Sequence, residues 1–523
     1  MDSSMKTPLF TATLLASTAL ALPALAQGAG EACAALSGLD LHGVAISSAS
    51  AQGAGTLPPD PMSAMTGGSP RPVDVGAHCL VEGRIEDRTG ADGNRYGIRF
   101  QLRMPEDWNG RFLFQGGGGT DGFIAPAIGA IPSTGSTATP ALARGYAVVS
   151  MDGGHDGMNL AFTADQQARL DLAYAAIGKV LNTAKTLIRT YYAEAPERSY
   201  FMGCSNGGRE AMMAAERFPL EFDGVVAGNP GFHLSRAAIG GVWDVQQWSR
   251  IAPRDAMHEA LTQADLDTVS AEILKQCDAI DGLEDGIVAA YGQCDFDTEA
   301  LRGQLPDDKL DALLAVMGGA KAADGTQVYT GWPWDPGLNS DGWRAWKLGT
   351  PDRPAMHLSL TVPSTGAVFM TPPQEVPATP DFATLAEATA DVGGYFDADE
   401  TFLSTFAARG GKMVIFQGAA DPIFSAHDIT RWYDEAREDT GAEFARLFVV
   451  PGMTHCGGGP AFEDFDPLTL LEDWQDTGDA PEAMAARAPS MPGREMPVCA
   501  YPATATYTGG DETRADSFTC TQP

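Results

Sequence analysis

The sequence predicts an α/β protein with a mainly parallel central sheet, interrupted by one large insertion. Three observations predict it. Apolar runs of strand length alternate with amphipathic helical stretches in both halves of the chain. A Gly-x-Ser-x-Gly turn at 203–207 joins one such run to one such helix. Between about 232 and 395 the alternation lapses into a stretch rich in Trp, Pro, Gly and Asp.

The elements follow in order. Residues 27–70 are rich in Ala, Gly, Ser and Pro and read as a loop-rich lead-in. Residues 98–104 alternate like a strand, 111–115 form a second strand ending in four glycines at 116–119, and 146–150 form a third. Residues 163–193 carry Leu172, Ile177, Val180, Leu181, Ala184 and Leu187 at helical spacing. A short strand at 199–203, a helix over 205–218 and a strand at 224–228 come next. After the insertion, 413–417 and 445–450 repeat the buried-strand pattern. No internal repeat is present.

Length and composition narrow the function. At 523 residues the chain is too long for one ordinary domain. With 44% hydrophobic and 20% charged residues it is globular with a sizeable core. A formal charge of -34 repels phosphate backbones and anionic lipid, so neither nucleic acid nor membrane is expected as a partner. Residues 1–26 read as a signal peptide: Lys6 supplies the positive start, 9–22 are mostly apolar, and Ala24-Leu25-Ala26 is a small-x-small cleavage site. The apolar run is too short to span a bilayer. The mature chain is expected to begin near Gln27 and to be secreted or periplasmic. Eight cysteines follow that point, an even number in an exported chain, which implies disulfides. Sequence alone leaves 105 pairings open.

The turn Gly203-Cys204-Ser205-Asn206-Gly207 marks Ser205 as a nucleophile held on a strained strand-to-helix corner. Its acid and base are expected downstream, in that order. Asp421 follows the strand at 413–417, and His455 follows the strand ending at Val450; both lie where open α/β sheets place their sites. His42, His78 and His155 precede Ser205, while His233, His258 and His357 lie in or beside the insertion, and His427 is too near Asp421. Cys204 precedes Ser205 and Cys456 follows His455, so a catalytic contact would bring the two cysteines within bridging distance. The expected oxyanion donors are the backbone amide of Asn206 and one from the glycine run, Gly118 first and Gly117 next. In 277–287, Asp278, Asp281 and Asp285 could supply carboxylates, and Leu283 and Ile287 carbonyls, to a hard cation such as calcium, although the spacing is not that of an EF-hand.

At this point the sequence resembles the tannase and feruloyl esterase family of α/β-hydrolases. The matching pieces are Asp152-Gly153-Gly154-His155, Gly203-Cys204-Ser205-Asn206-Gly207-Gly208-Arg209, the 222–230 segment, Gly418-Ala419-Ala420-Asp421-Pro422 and Gly452-Met453-Thr454-His455-Cys456. The resemblance implies an α/β-hydrolase fold with a large inserted lid domain, a Ser205, Asp421, His455 triad and a Cys204–Cys456 bridge. It also implies a structural calcium at the 277–287 segment. The other pairings expected are Cys277–Cys294, Cys33–Cys79 and Cys499–Cys520. The domains expected are 27–231 and 396–523 for the two parts of the catalytic unit and 232–395 for the lid.

The family cleaves esters of aromatic acids, so the expected partner is a small aromatic ester. Two short segments resemble those of the family's terephthalate half-ester hydrolases. Phe424 stands three residues after Asp421, and Trp343-Arg344-Ala345-Trp346 resembles the segment bearing a carboxylate-binding arginine. Arg344, Phe424, Trp332 and Trp334 are therefore the expected substrate contacts, with mono(2-hydroxyethyl) terephthalate as a candidate substrate. Plant phenolic esters of ferulate or gallate are the alternative. A lipase would carry a more aliphatic lid. A catalytically dead, calcium-dependent binding protein is a more remote alternative.

Overall fold

A computed structural model describes residues 28–523. The expected signal peptide lies outside these residues. Nine strands form one mixed sheet: β1 (Val44–Gln52), β2 (His78–Thr89), β3 (Arg95–Pro105), β4 (Arg111–Gln115), β5 (Ala147–Met151), β6 (Arg198–Cys204), β7 (Gly224–Gly228), β8 (Lys412–Gly418) and β9 (Ala445–Val450). Their order across the sheet is β1-β2-β3-β5-β4-β6-β7-β8-β9. The β1–β2, β2–β3 and β3–β5 pairs are antiparallel; the remaining five are parallel.

The parallel strands are apolar without interruption because both their faces are covered. Phe114, Phe201, Val225 and Ile415 point to one side, where α1 (Ala176–Tyr192), α2 (Asn206–Arg217) and α3 (Ala426–Thr440) pack. Leu113, Met202, Val226 and Phe416 point to the other, against α4 (Pro467–Thr477) and the C-terminal ribbon of Ala483–Arg487 with Glu495–Cys499. The long helix expected over 163–193 is present from Gln166 to Tyr192, widened by one π turn at Asp171–Ala175.

Two strands depart from the sequence reading. β1 lies within the expected loop-rich lead-in, and β2 was not anticipated. β1 is an edge strand mostly of Ala and Ser, with Val44 and Ile46 as its larger apolar residues, and is nowhere fully buried, so its sequence carries little alternation to read.

The segment between β7 and β8 builds a second core of its own. Ile239, Trp248, Leu266, Ile273, Leu313, Trp332 and Trp343 meet there, and Ile423 and Phe424 join them from beyond β8. Among the described residues, no helix is long and apolar enough to cross a membrane. Four disulfides join Cys33 to Cys79, Cys204 to Cys456, Cys277 to Cys294 and Cys499 to Cys520.

Candidate active site

Ser205 sits between β6 and α2 with φ 62° and ψ -123°, a conformation L-residues avoid. Such strain costs on the order of 1–3 kcal/mol and persists only where the surroundings impose it. Here the Ser205 amide donates to Gly228 O at 3.0 Å, and Gly231 N donates to Ser205 O at 3.1 Å. The flanking glycines are required by space. A Cβ on Gly203 would lie 2.6 Å from the Gly207 carbonyl carbon, and one on Gly207 would lie 2.7 Å from Gly117 O.

His455 and Asp421 stand on the loops after β9 and β8. His455 Nδ1 lies 2.9 Å from Asp421 Oδ2. The Asp421 carboxylate is fully buried and also accepts from Asn229 Nδ2 at 2.6 Å, Gln417 Nε2 at 3.2 Å, and the amides of Ile423 and Phe424 at 2.8 and 3.2 Å. Burial alone would raise its pKa. The imidazole charge and these hydrogen bonds outweigh burial and hold the carboxyl below its usual value. It therefore stays ionised. The Cys204–Cys456 bridge, with Cα atoms 6.1 Å apart, ties the residue before Ser205 to the residue after His455.

Ser205 opens onto a cavity walled by Trp346, Phe424, Phe369, Phe396, Leu172 and Leu360, with Thr361 and Ser364 as polar lining. Among the described residues, no charged side chain lines it. Phe424 and Trp346 also meet the His455 ring edge-to-face, with centroids 5.3 and 5.8 Å apart. On the other side of Trp346 a second, more polar cavity holds His455, Thr454, Asn339, Ser340 and Asp341. Asp335 fastens the inserted segment to the His455 loop by accepting from Gly337 N at 2.8 Å and Gly452 N at 3.0 Å.

Several expected contacts lie elsewhere. Arg344 does not reach the cavity: its guanidinium donates to Leu261 O at 2.9 Å and His258 O at 2.7 Å, anchoring the Asp341–Lys347 helix to the segment before it. Trp332 lies beneath Lys347, whose Nζ is 3.8 Å from its ring centre, and Trp334 packs on Phe296 at 4.9 Å. Both belong to the insertion's own core, which competes with the substrate wall for large aromatics. Trp346 takes the place expected of them. The 357–369 segment, which supplies Leu360, Thr361, Ser364, Val368 and Phe369, was missed altogether; its signal was the apolar Val362–Phe369 helix.

The glycine run also differs from expectation. Gly117 N donates to Glu210 Oε2 at 3.0 Å and Gly118 N to Asp121 Oδ1 at 2.9 Å, so neither amide is free. Gly119, the next residue, lines the cavity beside Ser205 and Asn206. Among the described residues, neither the Gly119 nor the Asn206 backbone N–H donates to a protein oxygen.

In the 277–287 loop, Asp278 accepts from Gly286 N at 3.0 Å, and Asp281 from Ala289 N at 2.9 Å and Leu283 N at 3.2 Å. Asp285 accepts from Ile287 N at 3.0 Å and pairs with Arg494. Burial pushes the Asp281 carboxyl up to about 7, and the charges of Asp285 and Asp278 add to the rise. Carboxylates with backbone carbonyls are the hard-oxygen donors that calcium takes, but among the described residues these three carboxylates are not drawn into one cluster, and Arg494 occupies Asp285.

A doubly covered sheet with a strained serine at one strand end, and a histidine–aspartate pair at two others, defines the α/β-hydrolase class. Comparison with known proteins carries this further. A family profile described as "Tannase and feruloyl esterase" matches residues 79–521. The chain is 38% identical to mono(2-hydroxyethyl) terephthalate hydrolase of Piscinibacter sakaiensis, over 85% of each chain. It is 28% identical to feruloyl esterase C of Talaromyces stipitatus, over 82% of this chain and 83% of the other. Feruloyl esterase B from Aspergillus oryzae superposes with a TM-score of 0.79 at 23% identity, covering 94% of this chain and 100% of that one, a likeness of fold. The chain belongs to the tannase and feruloyl esterase family. It is a carboxylic ester hydrolase.

Proposed function

We propose that this esterase is exported and hydrolyses esters of aromatic carboxylic acids through an acyl-enzyme on Ser205. The observation that carries the reading is the aromatic cavity at Ser205, two of whose walls, Phe424 and Trp346, also pack on His455. His455 takes the Ser205 proton as Oγ attacks the ester carbonyl, and Asp421 orients the imidazole and stabilises its charged form. The amides of Asn206 and Gly119 hold the oxyanion. The intermediate collapses as His455 passes its proton to the departing alcohol; water, deprotonated by His455, then attacks the acyl-enzyme and releases the acid and Ser205. Residues 232–395 act as a lid between the two parts of the catalytic unit, 27–231 and 396–523. The 277–287 loop holds a structural calcium through Asp278, Asp281 and Asp285, with the carbonyls of Leu283 and Ile287.

Two acyl groups compete. The uncharged cavity favours a neutral ring such as feruloyl, because a free carboxylate would lose its hydration there without a cation to receive it. The relative named for mono(2-hydroxyethyl) terephthalate, at 38% identity, favours the terephthalate half-ester. Steady-state kinetics on ferulate, p-coumarate, gallate and mono(2-hydroxyethyl) terephthalate esters, with wild type and Ser205→Ala, test the reading. Ser205→Ala should lose on the order of 10⁴-fold or more in kcat on every ester that wild type cleaves. Near-wild-type turnover in that variant refutes the serine mechanism.

A further inference from the structure

Behind the glycine run lie two carboxyl groups that the mechanism above does not use. Asp121, 1% exposed, follows the run, and Glu210, 0% exposed, sits on α2 one turn beyond Asn206. Asp121 Oδ1 accepts from Gly118 N at 2.9 Å and Asn206 Nδ2 at 3.1 Å. Glu210 Oε2 accepts from Gly117 N at 3.0 Å, and Oε1 from the same Asn206 amide at 3.4 Å. Asp121 Oδ2 is buried with no hydrogen-bond donor.

The charge facing this pair is Arg209, but its guanidinium is spent elsewhere. Nε donates to Asn206 Oδ1 at 2.8 Å, and the terminal nitrogens donate to the carbonyls of Ala173, Phe396 and Leu172. Gly153, which packs on Asp121, brings no charge. Two buried carboxylates that no cation touches cannot both ionise. Burial raises both groups, Asp121 the more; the Glu210 charge raises Asp121 further, while the Arg209 charge and a hydrogen bond from Asp121 hold Glu210 down, which leaves the proton on Asp121. One proton therefore stays, on the donor-less Oδ2 of Asp121, shared with Glu210.

We infer that Asp121 and Glu210 form a proton-sharing pair that clamps the 116–119 run onto the nucleophile helix and so fixes the Gly119 and Asn206 amides that receive the oxyanion. Both are positioning residues. Each carboxyl holds one glycine amide of the run, and Asn206 bridges the two carboxyls through its side chain. The inference rests on the serine-esterase reading for the role of those amides.

The test uses the full chain and two probes. Phenylboronic acid takes the Ser205 oxygen to give a tetrahedral boron anion, the Ser205 proton passing to His455; benzoate binds as product without an oxyanion. Glu210→Ala and Asp121→Ala should each lower kcat by about 100-fold, the scale of one lost oxyanion donor, with KM little changed. Phenylboronate affinity should fall by a similar factor while benzoate affinity stays. Asp121→Asn, which donates at the same place without a charge, should recover most of the loss, and its kcat–pH profile should lack the step that wild type shows on giving up the shared proton. Unchanged kcat in the two alanine variants, benzoate binding lost in step with boronate, or an asparagine variant as poor as the alanine one would overturn the inference. Failure of the underlying reading shows separately, as turnover by Ser205→Ala.

Discussion

Cys204 and Cys456 are joined across 252 residues of sequence, which leaves Ser205 and His455 each one residue from the same sulfur bridge. Both ends are strained: Ser205 has φ 62° and Cys456 φ 58°. The bridge helps to impose two conformations that each cost about 1–3 kcal/mol. Replacing both cysteines with alanine should therefore lower kcat while the far-UV circular dichroism stays as in wild type. A double variant with full kcat would show that the loops hold their places unaided.

Stability should peak at mildly acidic pH. Burial pushes Asp152, Asp335 and Asp397 up to about 6 and Glu216 to about 7, against ordinary values of 3.8 and 4.5. Between those limits these four carboxyls bind more protons folded than unfolded; together they outweigh His155, which burial lowers to about 4 and which acts in the opposite sense, so stability falls as pH rises through the window. Below it the sign reverses, because Asp421 is depressed and its contribution is lost on acidification. Thermal unfolding across pH should show Tm declining from about pH 4.5 to pH 7. A Tm that climbs steadily over that range contradicts the assignment.

Arg344 ties the Asp341–Lys347 helix to the segment before it. Its two hydrogen bonds to Leu261 O and His258 O are charge-assisted, and removing them should cost about 1–3 kcal/mol. Arg344→Ala should lower Tm and change KM for mono(2-hydroxyethyl) terephthalate and for a neutral ferulate ester by similar factors. A KM increase confined to the half-ester would return Arg344 to the site.

Calcium, if bound at the 277–287 loop, stabilises without entering the chemistry. At a hundredfold excess over Kd it contributes about 2.7 kcal/mol. Chelation should lower Tm, and Asp281→Ala should lower it equally and make it insensitive to chelator. Identical melting with and without chelator would leave the loop as an acidic turn.

The parallel half of the fold was legible because strands covered on both faces are apolar throughout, as 413–417 and 445–450 are. The strained serine was legible because few residues other than glycine fit on either side of it. What escaped were choices between like residues. The four glycines at 116–119 look alike in sequence; Glu210, distant in the chain, and Asp121 decide which amides are taken. Trp332, Trp334 and Trp346 are equally plausible as walls, because a segment with its own core buries aromatics for the same reason that a ligand cavity does. β1 escaped because an edge strand needs only one modestly apolar face.

The position of the insertion has a consequence for how the chain acquires its bonds. Cys277 and Cys294 both lie between Cys204 and its partner. As the chain emerges from its N-terminus, Cys204 meets the thiol of Cys277 well before Cys456 exists. Oxidation in order of emergence would join Cys204 to Cys277 and Cys294 to Cys456. The native set is reached only if Cys204 waits as a thiol or if a wrong bond is exchanged, a reaction of seconds to hours that isomerases hasten. The compartment's capacity to shuffle disulfides, and not only to form them, then governs how much newly made protein becomes active.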